Sequence, residues 1–504
     1  MKTIKSDVLI IGSGFGAAAP ALRLSRAGLR VTVLEKGPHL RGPSDFKQTQ
    51  DPRYLLKYLK GLSGENINFT YAEALGGGSG FYEMVSLRAP TLAFEQTDAS
   101  GRPIWPTGVD RAALDPHYEL AEEMLRVRQL DRERIPKTGL VFSLMMKRLG
   151  YSCERCRYAV VGCVGSGYCV TGCIYGAKQT LHMNYLPQAV EAGASVLTGI
   201  EALAVRPVGD PRRARRGTGV SRLPYRYEVA CRRTDGSSTR FRTRLLILAA
   251  GTVGTAGLLL RSRRYLPALS DQVGRNIAFN GSVKVAGLLP EDLPEGDMYS
   301  GITHPGMISY EFLRSHGITV AAVKALPLMA VAAARLRLDG DGRNPSHWGA
   351  PNVELMKSFR RRAIALLALG LTPPTAELEL HNGEIRPRLE LTDEIRAYYR
   401  RTKELLHSIL TRNGCRLIET EFIDGKGAAR EDLFFSTAHQ VGSCRMADSA
   451  EVGVVDSDGR AFGYPGLYVS DGAAVPGSLA VNTSLTILAN AERIAAGLVA
   501  RYRP

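Results

Sequence analysis

The residues with the clearest chemistry lie near the start of the chain, where Gly12-Ser13-Gly14-Phe15-Gly16-Ala17 follows the apolar run Val8-Leu9-Ile10-Ile11. Gly12 permits a tight turn, Gly14 lets the backbone approach a pyrophosphate, and Gly16 and Ala17 keep the following helix close to its strand. A helix that starts here aims its positive end at phosphate charge. Glu35 comes 23 residues after Gly12, at the end of a second apolar run, Val31-Thr32-Val33-Leu34, and is followed by Lys36. A carboxylate there accepts both hydrogen bonds of an adenosine ribose and repels a 2′-phosphate, so the spacing predicts a dinucleotide other than NADP. The fingerprint by itself does not separate NAD from FAD.

A second chemistry-bearing segment is the run of cysteines. Five of the eight, Cys153, Cys156, Cys163, Cys169 and Cys173, fall within 21 residues, spaced C-x2-C and then C-x5-C-x3-C. The residues alone leave open a loop with a disulfide or free thiols, or a zinc site with Cys153 or Cys156 as fourth ligand. Cys231, Cys415 and Cys444 stand apart and read as structural.

The elements that must position these groups can be read from the pattern. The strand, glycine loop, helix from Ala18 to Ala27 and second strand form a βαβ unit, with Pro20 expected in the first turn and Gly28 as the stop. A second glycine cluster, Gly76-Gly77-Gly78-Ser79-Gly80, follows. Strand patterns resume over 196–205, 225–232 and 245–249, the last running through Ala250 and Gly251 into a helix that ends near Arg261. A helix is expected over Thr392 to Arg412 and a strand at Glu377 to Leu380, and the chain closes as strand, turn and helix from Gly466 to Arg501. Dinucleotide-type segments at both ends and in the middle predict two interleaved domains in an α/β fold with an α+β partner.

Composition sets the limits. At 504 residues, with 44% hydrophobic and 23% charged side chains, the chain has the make-up of a globular protein. The net charge of +16 bears on solubility and anionic encounters more than on fold. Arg212, Arg213, Arg215 and Arg216 read as a solvated hairpin tip and not as a nucleic-acid surface, and Arg360 to Arg362 precede an apolar stretch. Residues 318–334 and 363–371 fall short of a span of about 20 residues, and read as buried or interfacial helices. No transmembrane segment is expected, and peripheral membrane contact is left open. Met1 to Asp7 leads straight into a strand, which leaves no room for a signal peptide and predicts a cytoplasmic protein.

The carboxy-terminal third carries a resemblance. His439-Gln440-Val441-Gly442-Ser443-Cys444-Arg445-Met446, then Gly453-Val454-Val455-Asp456, Leu467-Tyr468-Val469-Ser470-Asp471-Gly472 and Val481-Asn482-Thr483-Ser484-Leu485-Thr486-Ile487 resemble the glucose-methanol-choline (GMC) oxidoreductases in order and spacing. The glycine unit, Gly76 to Ser79 with Arg88, Ala249 to Thr252 with Thr255, and Val273 to Asn276 agree with it. Gly172 to Leu181 with Asn184-Tyr185-Leu186, and Val475 to Asn482, are similar to the sterol-oxidase-like and long-chain-alcohol-oxidase-like branch. Two departures stand out. Tyr82, Glu83 and Met84 replace the Asn usual after the Gly-Gly-Gly-Ser loop, and no counterpart of the cholesterol oxidase active-site glutamate is evident.

The resemblance implies a GMC fold. Its FAD-binding parts would be 1–95, 186–284 and 450–504, with a substrate-domain and Cys-rich insertion at 96–185 and a substrate-binding domain at 285–449. It implies FAD held by Gly12, Gly14, Gly16, Ala17, Glu35, Lys36, Gly77, Gly78, Ser79, Ile200, Ala250, Gly251, Asp471, Gly472 and Thr483. It also implies oxidation of a primary or secondary alcohol, with His439 taking the hydroxyl proton and Asn482 orienting the oxygen; the ordinary histidine pKa suits such a base. The electrons would pass to oxygen or to an external acceptor. Cys163, Cys169 and Cys173 resemble the [3Fe-4S] ligand set of some sugar dehydrogenases of the family, which would give electrons an exit to a quinone or protein. Other flavin chemistry and a redox-silent binding protein are the rival readings. His304, Tyr310, Trp348 and His381 are pocket-like, and the residues alone assign them to structure.

Overall fold

The computed structural model describes residues 3–49, 51–209, 220, 223–324, 335–338, 350–421 and 433–502. The basic Arg212–Arg216 cluster and Trp348 lie outside them.

The central sheet is built on two long parallel neighbours, Thr3–Ile11 and Ser238–Leu248. Val31–Leu34 and then Ser195–Leu197 extend it in parallel on one side. On the other side the long strand divides its edge. Its first half pairs with the antiparallel strand Tyr227–Arg233, which in turn pairs antiparallel with Ile200–Pro207, and its second half pairs in parallel with Leu467–Val469. Val8 to Ile11 and Leu245 to Leu248 are buried on both faces, as the unbroken apolar runs require.

Helix α1 (Phe15–Arg26) crosses from the first strand to the second. It begins three residues earlier than the sequence suggests, so Pro20 sits in the helix interior and not in the first turn. The missing N–H leaves the Gly16 carbonyl without its helical partner, and the Ser470 hydroxyl donates to that carbonyl instead, at 2.7 Å.

The second sheet runs Arg335–Leu338, Arg416–Glu421, Val283–Leu288, Ala363–Gly370, Ile318–Val323, Met307–Ser309 and Glu154–Arg155, antiparallel throughout. Two stretches expected as helices are therefore strands, Ile318–Val323 and Ala363–Gly370. Each is buried along nearly its whole length, and a run that is apolar at nearly every position carries no period to tell strand from helix. One face of this sheet packs under α2 (Lys137–Arg148) and helix Asp393–Arg412 through Val141, Met145, Val283, Val320, Leu366, Leu406 and Ile409. The Asp393–Arg412 helix starts where expected, with Thr392 Oγ1 accepting from the Ile395 N–H. Among the described residues no helix is long and apolar enough to cross a membrane.

Candidate active site

The parallel strands bring three helix starts to one edge of the central sheet: α1 after Gly14, α3 (Gly251–Ser262) after Ala250, and, past Asp393–Arg412 (α4), α5 (Ser484–Arg501) after Thr483. None has a side-chain cap. At α3 the protein supplies its own anion: Asp471 Oδ2 accepts from the Gly251 N–H at 2.7 Å and from Thr255 Oγ1 at 2.6 Å, and Oδ1 accepts from the Ala473 N–H. Asp471 thus ties α3 to the turn after the last strand. Burial raises its carboxyl to about 6 against those bonds.

The glycine loop is shaped by close approach. Gly12 has a φ of +99°, and a Cβ there would lie 2.2 Å from the Ala249 carbonyl oxygen. A Cβ on Gly16 would lie 2.4 Å from Asp471 Cα, so this glycine admits the Asp471 turn against α1. Ala17 is fully buried behind it. Gly77 would carry its Cβ within 2.9 Å of Gly14 Cα, so the two glycine loops meet backbone to backbone. A Cβ on Gly78 or Gly251 would meet nothing within 4 Å; here the loops face open space.

Glu35 stands at the end of its strand with Oε2 accepting from Ser13 Oγ at 2.5 Å and Oε1 from the Gly37 N–H at 2.7 Å. Burial pushes its carboxyl pKa up, and those two bonds oppose the shift. Ser13 Oγ also accepts from the Gly76 N–H at 2.9 Å, joining the acid to the second glycine loop. Ser79 holds that loop in shape, donating to the Gly76 carbonyl and accepting from the Leu181 N–H. Lys36 points away to Glu73 and Glu201, so its side chain serves ion pairs. The Ile200 N–H donates to the Glu35 carbonyl at 2.9 Å, which holds Ile200 beside the end of the Glu35 strand.

His439 and Asn482, 43 residues apart, meet: Asn482 Nδ2 lies 3.2 Å from His439 Nε2. Two devices bring them together. Residues 442–446 run beside 472–474, with the Gly442, Cys444 and Met446 N–H groups donating to the Gly472, Ala473 and Ala474 carbonyls. Asn280 then grips the approach to Asn482, accepting from the Leu479 and Ala480 N–H groups and donating to the Val481 carbonyl. The His439 N–H is fixed by Thr437 Oγ1. The imidazole is half-buried, and burial, with Lys284 and His304 nearby, lowers its pKa to about 4. With an amide N–H directed at Nε2, that atom carries the lone pair and Nδ1, buried without a partner, carries the proton. Asn482 does not cap α5; Thr483 occupies the cap position.

The groups expected in the middle third divide. His304 is buried, with its carbonyl accepting from Tyr158, while His381 is exposed on the Ala376–His381 strand and Tyr310 is half-buried. Cys163, Cys169 and Cys173 do line one cavity, together with Val160, Tyr168 and Lys178. Among the described residues no group of three or more His, Cys, Asp or Glu side chains is disposed to hold a metal ion, and all eight cysteines are free thiols. Lys178, which the sequence reading missed, is buried beside them, donating to the Gly80, Tyr82 and Cys169 carbonyls. It pins the second glycine loop to the cysteine loop, and desolvation lowers its pKa to about 8.

These residues fit FAD. The open space before Gly78 and Gly251, the positive starts of α1 and α5 with no anion of their own, and Glu35 with lone pairs still free match a ribose, a pyrophosphate and a ring that gains charge on reduction.

Residues 6–279 and 380–491 match the amino- and carboxy-terminal models of the GMC oxidoreductase family. A cholesterol oxidase of Mycobacterium tuberculosis is 30% identical over 97% of this chain and 90% of its own length. A long-chain-alcohol oxidase of Arabidopsis thaliana is 27% identical over 98% of this chain and 67% of its own. In fold, a pyridoxine 4-oxidase from Mesorbium loti superposes with a TM-score of 0.66 at 17% identity, covering 98% of this chain and 99% of that one. A formate oxidase from Aspergillus oryzae does so with a TM-score of 0.67 at 14% identity, covering 99% of each. The family's pattern at both ends of the chain and a fold matched along its length lead to one assignment: the chain belongs to the GMC oxidoreductases, FAD-dependent enzymes that act on CH–OH donors.

Proposed function

We propose that the protein oxidises a primary or secondary alcohol to an aldehyde or ketone, with His439 as the base. FAD, when bound, supplies the hydride acceptor, its N5. The protein's own part is to hold the hydroxyl and take its proton. His439 Nε2 accepts the proton, and the Asn482 amide, 3.2 Å from that nitrogen, orients the same oxygen. The approach of these two side chains from distant parts of the chain is the observation that carries the reading. A pKa near 4 keeps the imidazole unprotonated at neutral pH, so it is available to accept a proton without first losing one. Glu35 and the α1 start would hold the nucleotide end, and the α5 start would favour negative charge on the reduced ring. The relatives named for cholesterol and long-chain alcohols support an apolar alcohol as substrate.

The test is anaerobic reduction of the purified yellow protein by a panel of sterol and long-chain alcohols. His439→Ala should lower the reduction rate by about a hundredfold to ten-thousandfold, the range for general base catalysis, while FAD stays bound. An unchanged rate would defeat the assignment. Mixing the reduced enzyme with oxygen and with a quinone then identifies the electron acceptor.

A further inference from the structure

The second sheet has two unlike faces. Val283–Leu288 pairs with Ala363–Gly370 and that strand with Ile318–Val323, in a register that sets Lys284 opposite Leu367, and Leu367 opposite Ala321. Val283, Val285, Val320, Leu366 and Ala368 turn to the other side, into the cluster under α2 and α4. By strand alternation the face that carries Lys284 also carries Thr319, Ala321, Leu367 and Leu369. Thr319 fixes what that face looks at, because its hydroxyl donates to the Ala480 carbonyl at 2.5 Å, two residues from Asn482. This face is therefore turned toward the histidine–asparagine pair.

On it Lys284 is out of place. Ala321, Leu367 and Leu369 are apolar and buried, while Lys284 is the exposed residue of its strand. Among the described residues it makes no hydrogen bond and no ion pair, Glu83 included. Its charge nevertheless reaches the site, disfavouring a proton on His439 and favouring ionisation of Glu83. A lone ammonium beside apolar walls concentrates its field on whatever anion enters.

Resting on the alcohol-oxidation reading, we propose that the substrate is an alcohol with an apolar body and a carboxylate, and that Lys284 receives the carboxylate. The apolar residues of the same face contact the body, while the hydroxyl lies at His439 and Asn482.

The test uses the holoenzyme with ω-hydroxydecanoate, decanol and decanoate. Calorimetry should show decanoate binding, weakened by Lys284→Met by about tenfold to a hundredfold, the worth of one charge-assisted hydrogen bond. In anaerobic flavin reduction, kcat/KM should favour ω-hydroxydecanoate over decanol; Lys284→Met should bring the ratio toward one, and Lys284→Glu should invert it. Equal use of the two alcohols by the unaltered enzyme, loss of both alike in Lys284→Met, or decanoate binding indifferent to that substitution would each overturn the proposal. Failure of every alcohol to reduce the flavin would count against the oxidation reading instead, and decanoate binding would still decide the role of Lys284.

Discussion

Burial has opposite consequences for His439 and Glu35, the base and the ribose acceptor of the proposed reaction. It lowers the pKa of His439 to about 4, with the Lys284 and His304 charges acting the same way. A base must be unprotonated, so activity is complete above that value and lost as pH falls through it. The pH profile of anaerobic flavin reduction should bend near pH 4 and stay flat to neutrality; a bend near the ordinary 6.5 would show an imidazole in contact with bulk water. Burial raises the pKa of Glu35, and the Ser13 and Gly37 donors work to keep it charged. Glu35→Ala removes the ribose acceptor and strands Ser13, and should weaken FAD retention about tenfold or more, measured by flavin released on dilution. Unaltered retention would mean that the acid serves only to join the two glycine loops. Glu35 was legible because its distance from the glycine loop is set by one helix and one strand. Ser13 and Lys178 were not, since Glu35 lies 22 residues from Ser13 and the Gly80 carbonyl 98 residues from Lys178, and no local pattern marks them.

At the scale of elements, legibility followed periodicity. Helix α4 was readable end to end because its apolar positions alternate with charge and Thr392 caps it. Ala363–Gly370 was not: Ala and Leu favour a helix, and only pairing on both edges, with Val283–Leu288 and Ile318–Val323, makes it a strand. Helix α1 shows how an element accepts a residue that its own geometry disfavours. Pro20 withdraws a donor from the Gly16 carbonyl, and Ser470, arriving 454 residues later, replaces it. Ser470→Ala should therefore cost about 1–2 kcal/mol, as a buried acceptor loses its hydroxyl donor. In a Pro20→Ala background the helix supplies its own N–H and the same change should cost close to nothing. Chemical denaturation of the four proteins tests this. A coupling of about 1 kcal/mol is expected, and simple additivity would show that the serine is not compensating for the proline.

Across the whole molecule, the proposed catalytic pair is set by a short segment held between the two sheets. Residues 478–482 leave the central sheet's last turn and are gripped from the second unit: Ser478 by Thr372, Ala480 by Thr319, and residues 479–481 by Asn280. The grip is needed because Ala480 is held at a φ of +55°, a left-handed conformation that costs a residue with a Cβ roughly 1–2 kcal/mol. Asn280, fully buried, satisfies three backbone groups there at once. The sequence gives no sign of this, since a single Asn among apolar neighbours has no motif and its partners lie about 200 residues away. Asn280→Ala leaves those groups unpaired and should cost about 2–4 kcal/mol of stability. The sharper consequence is kinetic: with 479–481 released, Asn482 loses its fixed approach to His439, while Glu35, Gly12 and α1 take no bond from the Asn280 side chain. Measured well below the melting temperature, flavin reduction should slow by about tenfold or more with FAD affinity nearly unchanged, since a misplacement of an ångström is worth that much. Loss of FAD in parallel with rate would mean that the segment supports the cofactor and not the catalytic pair.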